Sequence, residues 1–171
     1  MSSTHHTTSQ SWLTFSLIMP STALLALEMV CHFILLWLRQ VYFCIAAVAM
    51  FALKVYDYVT RKLTALFEHY PDLNWNFNHS IFPAATFNFG PKCVCRCHTD
   101  HGNAAYFWCP ITALGNNDPT KGGHLILFDL QLIIEFPPGS TILIPSGILC
   151  HGNTPIQDHK TCMSFTQYSA G

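Results

Sequence analysis

The chain has 171 residues, half of them hydrophobic and only 10% charged, with a mean hydropathy of +0.28. That excludes a disordered, collagen-like or coiled-coil chain, all of which need far more charge or a repeat, and leaves room for one compact domain. Eight Lys and Arg against nine Asp and Glu give a formal net charge of -1, so no basic excess steers the protein to nucleic-acid phosphate.

The charges are spread unevenly, with only Glu28 and Arg39 before Lys54. Residues 1–11 are rich in Ser, Thr, His and Gln and read as a disordered tail. Residues 12–73 read as a helical, strongly apolar region. Within it, Ala23–Leu38 is interrupted by Glu28 and His32, and Val41–Leu53 is unbroken but short. A spanning helix needs about twenty apolar residues, so a pair of buried or amphipathic helices is the main expectation. A membrane-associated segment over residues 12–53 is the alternative. The helical pattern continues to about His69, with Leu63, Leu66 and Phe67 at i, i+3 and i+4, and Pro71 stops it.

From residue 74 to 171 the texture changes. Short β-prone runs occupy Ala85–Phe89, Cys93–Cys97, Tyr106–Leu114, His124–Asp129, Leu132–Phe136, Thr141–Pro145 and Cys162–Tyr168. Turn clusters such as Phe89-Gly90-Pro91, Lys121-Gly122-Gly123 and Pro137-Pro138-Gly139 separate them. The expected class is therefore mainly β with N-terminal helices, built on a sandwich, jelly roll or small barrel.

Eight cysteines stand at positions 31, 44, 93, 95, 97, 109, 150 and 162. Cys31 and Cys44 lie in apolar runs, where a free thiol behaves as a small hydrophobe. With no basic-headed leader evident, free thiols in a reducing compartment are expected. Cys93-x-Cys95-x-Cys97 has two readings. It is either a soft metal site, for which flat period-two spacing spreads the sulfurs widely, or an inward-facing alternating row.

The residues with the clearest chemistry are His98, Asp100 and His151. On a strand, residues two apart share a face, so His98 and Asp100 project together. His151 follows a later strand. Two imidazoles and one carboxylate with open positions form the set that holds non-haem Fe(II).

Further motifs surround these residues. They are Phe87-Asn88-Phe89-Gly90, His98-x-Asp100-x-x-Asn103, Ile111-Thr112-Ala113-Leu114-Gly115, Lys121-Gly122-Gly123-His124-Leu125, Pro138-Gly139-Ser140, His151-x-Asn153-x-Pro155 and Ser164-Phe165-Thr166-Gln167-Tyr168. In this order they resemble the fungal, transposon-associated branch of the TET/JBP-like 2-oxoglutarate- and Fe(II)-dependent dioxygenases. The likeness covers about Leu63 to Gly171 and does not reach residues 1–53. It implies a double-stranded β-helix (jelly-roll) core over residues 74–171, the cofactors Fe(II) and 2-oxoglutarate, and a nucleic-acid partner whose methylated pyrimidine base is oxidised. It also implies a nuclear location, whereas a span over residues 12–53 would imply a membrane.

The same resemblance assigns Asn103 as the co-substrate amide and His124 as the co-substrate histidine. It calls for an arginine two residues before Ser164, to hold the distal carboxylate of 2-oxoglutarate. This chain has Cys162 there, and a neutral thiol cannot make the forked pair that guanidinium gives a carboxylate. Lys160, expected on the same strand face, is the available stand-in. Impaired activity, or an inactive metal-binding remnant, is the expected consequence.

Overall fold

A computed structural model of the protein describes residues 22–73, 75 and 77–171; the tail read over residues 1–11 lies outside them. The chain divides into two compact units, Met1–Trp37 and Leu38–Gly171. The described part of the first is the opening of helix α1 (Thr22–Phe51). The second holds the remainder of α1, helix α2 (Leu53–His69) and every strand. Among the described residues, no helix is long and apolar enough to cross a membrane; residues 12–21 of the segment read as membrane-associated lie outside them.

The later part of α1 buries one stripe. Val41, Cys44 and Val48 are inaccessible, whereas Tyr42, Phe43 and Met50 face outward, the i, i+3, i+7 pattern of a helix with one packed side. Val59 and Leu63 of α2 join Cys44 and Val48 in a core with Ile81, Phe82, Ala104 and Phe107.

Two antiparallel sheets follow. The first runs β1 (Ala84–Asn88), β7 (Cys162–Tyr168), β2 (Cys109–Gly115) and β5 (Thr141–Ile144) in spatial order. The second runs β4 (Leu132–Ile134), β3 (Leu125–Leu127) and β6 (His151–Asn153). The alternation of β5 shows how the layers divide: Leu143 packs on the helical core, while Ile142 and Ile144 join Leu125, Leu127 and Ile111 in a second core shared by both sheets. The chain is thus mainly β, with N-terminal helices.

The expected strand Cys93–Cys97 does not form. Only isolated bridges mark this segment, Lys92 to Cys162 and His98 to His151. The reason is a side chain. The Asn153 amide takes the Cys95 N–H on its Oδ1 at 2.6 Å and donates to the Cys93 carbonyl at 2.8 Å, replacing ladder bonds that a second strand would have made. Gly152 permits the approach, because a Cβ there would lie 2.8 Å from the Cys95 carbonyl oxygen. In the run Tyr106–Leu114 the strand begins only at Cys109, after turns.

Candidate metal centre

His98 and His151 face each other across a two-residue bridge. The His98 N–H donates to the His151 carbonyl at 3.0 Å, and the His151 N–H donates back at 2.9 Å. Residues paired in this way in an antiparallel ladder send their side chains to the same face, and the two ring centroids are 4.5 Å apart. A disulfide between Cys97 and Cys150 stands immediately before both histidines. This pair corrects the reading of these cysteines as free thiols. Cys44, Cys93, Cys95, Cys109 and Cys162 are free.

Each ring is oriented by its own backbone. Nδ1 of His98 lies 2.8 Å from the Arg96 carbonyl, and Nδ1 of His151 lies 2.9 Å from the Leu149 carbonyl. A carbonyl only accepts, so in the neutral imidazole Nδ1 carries the proton and Nε2 keeps its lone pair. Both Nε2 atoms are thereby prepared as ligands.

Asp100 joins them through a turn rather than along a continuous strand. Its N–H donates to the Ser146 carbonyl at 2.9 Å, and the Asn103 N–H donates to the Asp100 carbonyl at 2.8 Å. The Asn103 side-chain amide then donates to Asp100 Oδ2 at 3.2 Å and to Ser146 Oγ at 3.1 Å. Asp100 Oδ1 lies 3.6 Å from His98 Nε2. The ligand atoms of His98, Asp100 and His151 all fall within 4.8 Å of one another. Bonds of about 2 Å to one centre keep ligand atoms within about 4 Å of each other, so small side-chain turns close the set. His151 is buried, Asp100 is half-buried and His98 is exposed, so the ligands span the depth of a cavity wall.

That cavity measures about 150 Å³ and is lined by all three of these residues, small beside the roughly 300–1,000 Å³ of drug-sized pockets. Cys162, Ser164 and Thr166 of β7 line it, as do Ile111 and Ala113 of β2 and Leu125 of β3. Asn88 donates from its amide to Ser164 Oγ at 2.9 Å. Burial pushes the Cys162 thiol up, and the nearby Cys93 and Cys95 push the same way. Burial also raises Cys95, helped by Cys93 and Asp100.

The other positions singled out from the sequence fall elsewhere. Asn103 braces Asp100 and does not line the cavity; nor does His124, whose backbone exchanges hydrogen bonds with Thr154. Lys160 was expected on the face of the last strand. It instead precedes β7, just after a turn at residues 158–159, and is not among the cavity-lining residues. Four contributors went unassigned from sequence: Ser146, Asn153 and the bridged pair Cys97 and Cys150. The repeated dipeptides Cys97-His98 and Cys150-His151 were the available signal for the pair.

The residues fit a metal ion, offering two prepared Nε2 atoms and one braced carboxylate. They do not fit the distal carboxylate of 2-oxoglutarate, because no described lysine or arginine lines the cavity.

No protein-family model and no curated protein matches the chain. Among solved structures, it is similar to one of NgTET1 in complex with 5mC DNA, at 15% identity and a TM-score of 0.48, over 72% of this chain and 54% of that one. It is also similar to the viral collagen prolyl hydroxylase vCPH of Paramecium bursaria Chlorella virus-1 in a 2OG complex, at 12% identity and a TM-score of 0.34, over 65% and 70% of the two chains. The chain thus spans about half the length of the first of these.

Proposed function

We propose that the protein is a non-haem Fe(II) dioxygenase of the TET/JBP-like kind, with a double-stranded β-helix core, acting on a methylated pyrimidine base in nucleic acid. The observation that carries this reading is the convergence of His98, Asp100 and His151 within 4.8 Å. A metal held by three protein ligands keeps open the positions that a chelating 2-oxo acid and dioxygen both require. The chain's own part is to present the ligands. The Arg96 and Leu149 carbonyls fix the imidazole tautomers, Asn103 steadies the carboxylate, and the apolar wall from Ile111, Leu125 and Phe136 limits water.

A second reading, a metal-binding jelly roll without turnover, is favoured by Cys162 standing where the family has arginine. One experiment tests both. Anaerobic Fe(II) is titrated into the protein and binding is read by calorimetry, in the wild type and in His151→Ala; a 2-oxo acid and dioxygen are then added with methylated oligonucleotides. The expected result is one Fe(II) per chain, lost in His151→Ala, and oxidised base in the product. Fe(II) binding with neither base oxidation nor 2-oxo acid consumption selects the second reading, and equal Fe(II) binding by wild type and variant defeats both.

A further inference from the structure

We infer that the acid this metal centre chelates is a 2-oxo monocarboxylate with an uncharged tail, in preference to 2-oxoglutarate. The inference rests on the metal-centre reading above and names the ligand class of that same cavity.

The argument begins with β7. Cys162, Met163, Ser164 and Thr166 of this strand line the cavity, while Phe165 and Gln167 are buried. Every cavity-facing group on this strand is neutral. The opposing surface, from Leu125 and Phe136, is apolar. Arg96, between the lining residues Cys95 and His98, is exposed and is not itself part of the lining, and the nearby lysines are paired or stand outside the strand. Lys92 is paired with Asp158 at 2.6 Å and Lys121 with Asp118 at 3.3 Å, and Lys160 stands before the strand.

Charge then decides which acid fits. A divalent ion with the single carboxylate of Asp100 retains one positive charge. The carboxylate of a 2-oxo monocarboxylate neutralises it. A second carboxylate adds a negative charge with no lining cation to meet it beside a largely apolar wall, and taking a charge from water without a partner is disfavoured. The same surroundings push the Cys162 thiol up, through burial first and then Cys93 and Cys95. A short aliphatic tail, in contrast, packs on Ile111, Leu125 and Phe136 and suits the small volume.

The test loads the full chain with Fe(II) under anaerobic conditions and titrates 2-oxobutyrate, 4-methyl-2-oxopentanoate and 2-oxoglutarate separately. The readout is the weak visible absorption of the chelate, which needs no turnover. The expected result is about tenfold or tighter binding of the monocarboxylates relative to 2-oxoglutarate, with the order inverted in Cys162→Arg by a similar factor. Cys162→Lys, which places a point charge at the same site, shifts the ratio in the same direction by less. Tighter binding of 2-oxoglutarate by the wild type overturns the inference and leaves the metal centre standing. An unchanged ratio in both folded variants overturns it as well. Absence of Fe(II) binding in the wild type brings down the metal-centre reading, and this inference with it.

Discussion

Opening the Cys97–Cys150 bridge is expected to loosen the fold and the metal centre together. The cysteines are 53 residues apart in sequence, and closing a loop of that length restricts the unfolded chain by about 4 kcal/mol in the chain-entropy account. The loop contains β2, β3, β4 and β5, so most of the sandwich is enclosed. For a unit of this size, 4 kcal/mol corresponds to a fall in Tm of roughly 10–20 °C. Each half-cystine directly precedes a candidate ligand, so slack at 97 and 150 passes to His98 and His151. Their mutual backbone bonds at 3.0 and 2.9 Å and the Asn153 contacts to Cys93 and Cys95 then hold them in register. A loss of metal affinity of roughly tenfold follows, the scale of losing a group that positions a ligand. The assay is thermal unfolding and Co(II) titration of the wild type, with and without a dithiol reductant, and of the Cys97→Ser/Cys150→Ser double variant. A double variant that melts within about 2 °C of the wild type and binds Co(II) equally well refutes the argument.

Other outcomes are equally specific. Asn103→Ala removes the donor to Asp100 Oδ2 and should weaken Co(II) binding roughly tenfold in calorimetry, with the fold retained by circular dichroism. Phe107→Ala, in the core beneath α1 and α2, should destabilise by about 3–5 kcal/mol in urea unfolding. Burial moves the Cys44 thiol from 9.0 to about 11. Between those values the folded chain keeps a proton that the unfolded chain has lost, so stability is full below pH 9 and falls as pH rises towards 11. The loss is about 2–3 kcal/mol in urea midpoints measured across that range, and Cys44→Ala should flatten this limb.

The sequence was most legible where periodicity ran longest. Cys162–Tyr168 reads as a strand from its alternation and is one. Cys93–Cys97 alternates just as well, yet the Cys95 N–H and the Cys93 carbonyl are taken by the Asn153 side chain from nearly sixty residues away, a contact no local pattern encodes. β6 has only three residues, too few for a period to declare itself. The His98-x-Asp100 spacing pointed to neighbouring ligands, although a turn braced by Asn103 and Ser146 brings them together rather than a flat strand. Lys160 was expected on the face of the last strand, which begins only at Cys162, so that Lys160 falls between the turn at residues 158–159 and the strand. The bridge between Cys97 and Cys150 depends on β6 lying beside residue 98, and that is a fact of topology.

The lining of the cavity is carried by different parts of the chain. The candidate metal ligands come from segments 98–100 and 151, strapped by a disulfide and by paired backbone bonds. Another part of the lining is made by β7, which pairs with β1 on one side and β2 on the other. Cys162, at the start of β7 opposite Gly115 of β2, also ties the segment before Cys95 through its backbone, donating its N–H to the Pro91 carbonyl and accepting from the Cys93 N–H. Its side chain is therefore free to vary without disturbing the ladder, while Phe165 and Gln167 on the opposite face answer to the buried side of the strand. A charged residue at 162 is thus expected to alter the charge of the cavity without removing a backbone hydrogen bond or any of the three candidate ligands. In the proposed oxygenase, such a change would shift which acid the cavity accepts while the candidate metal ligands stay untouched.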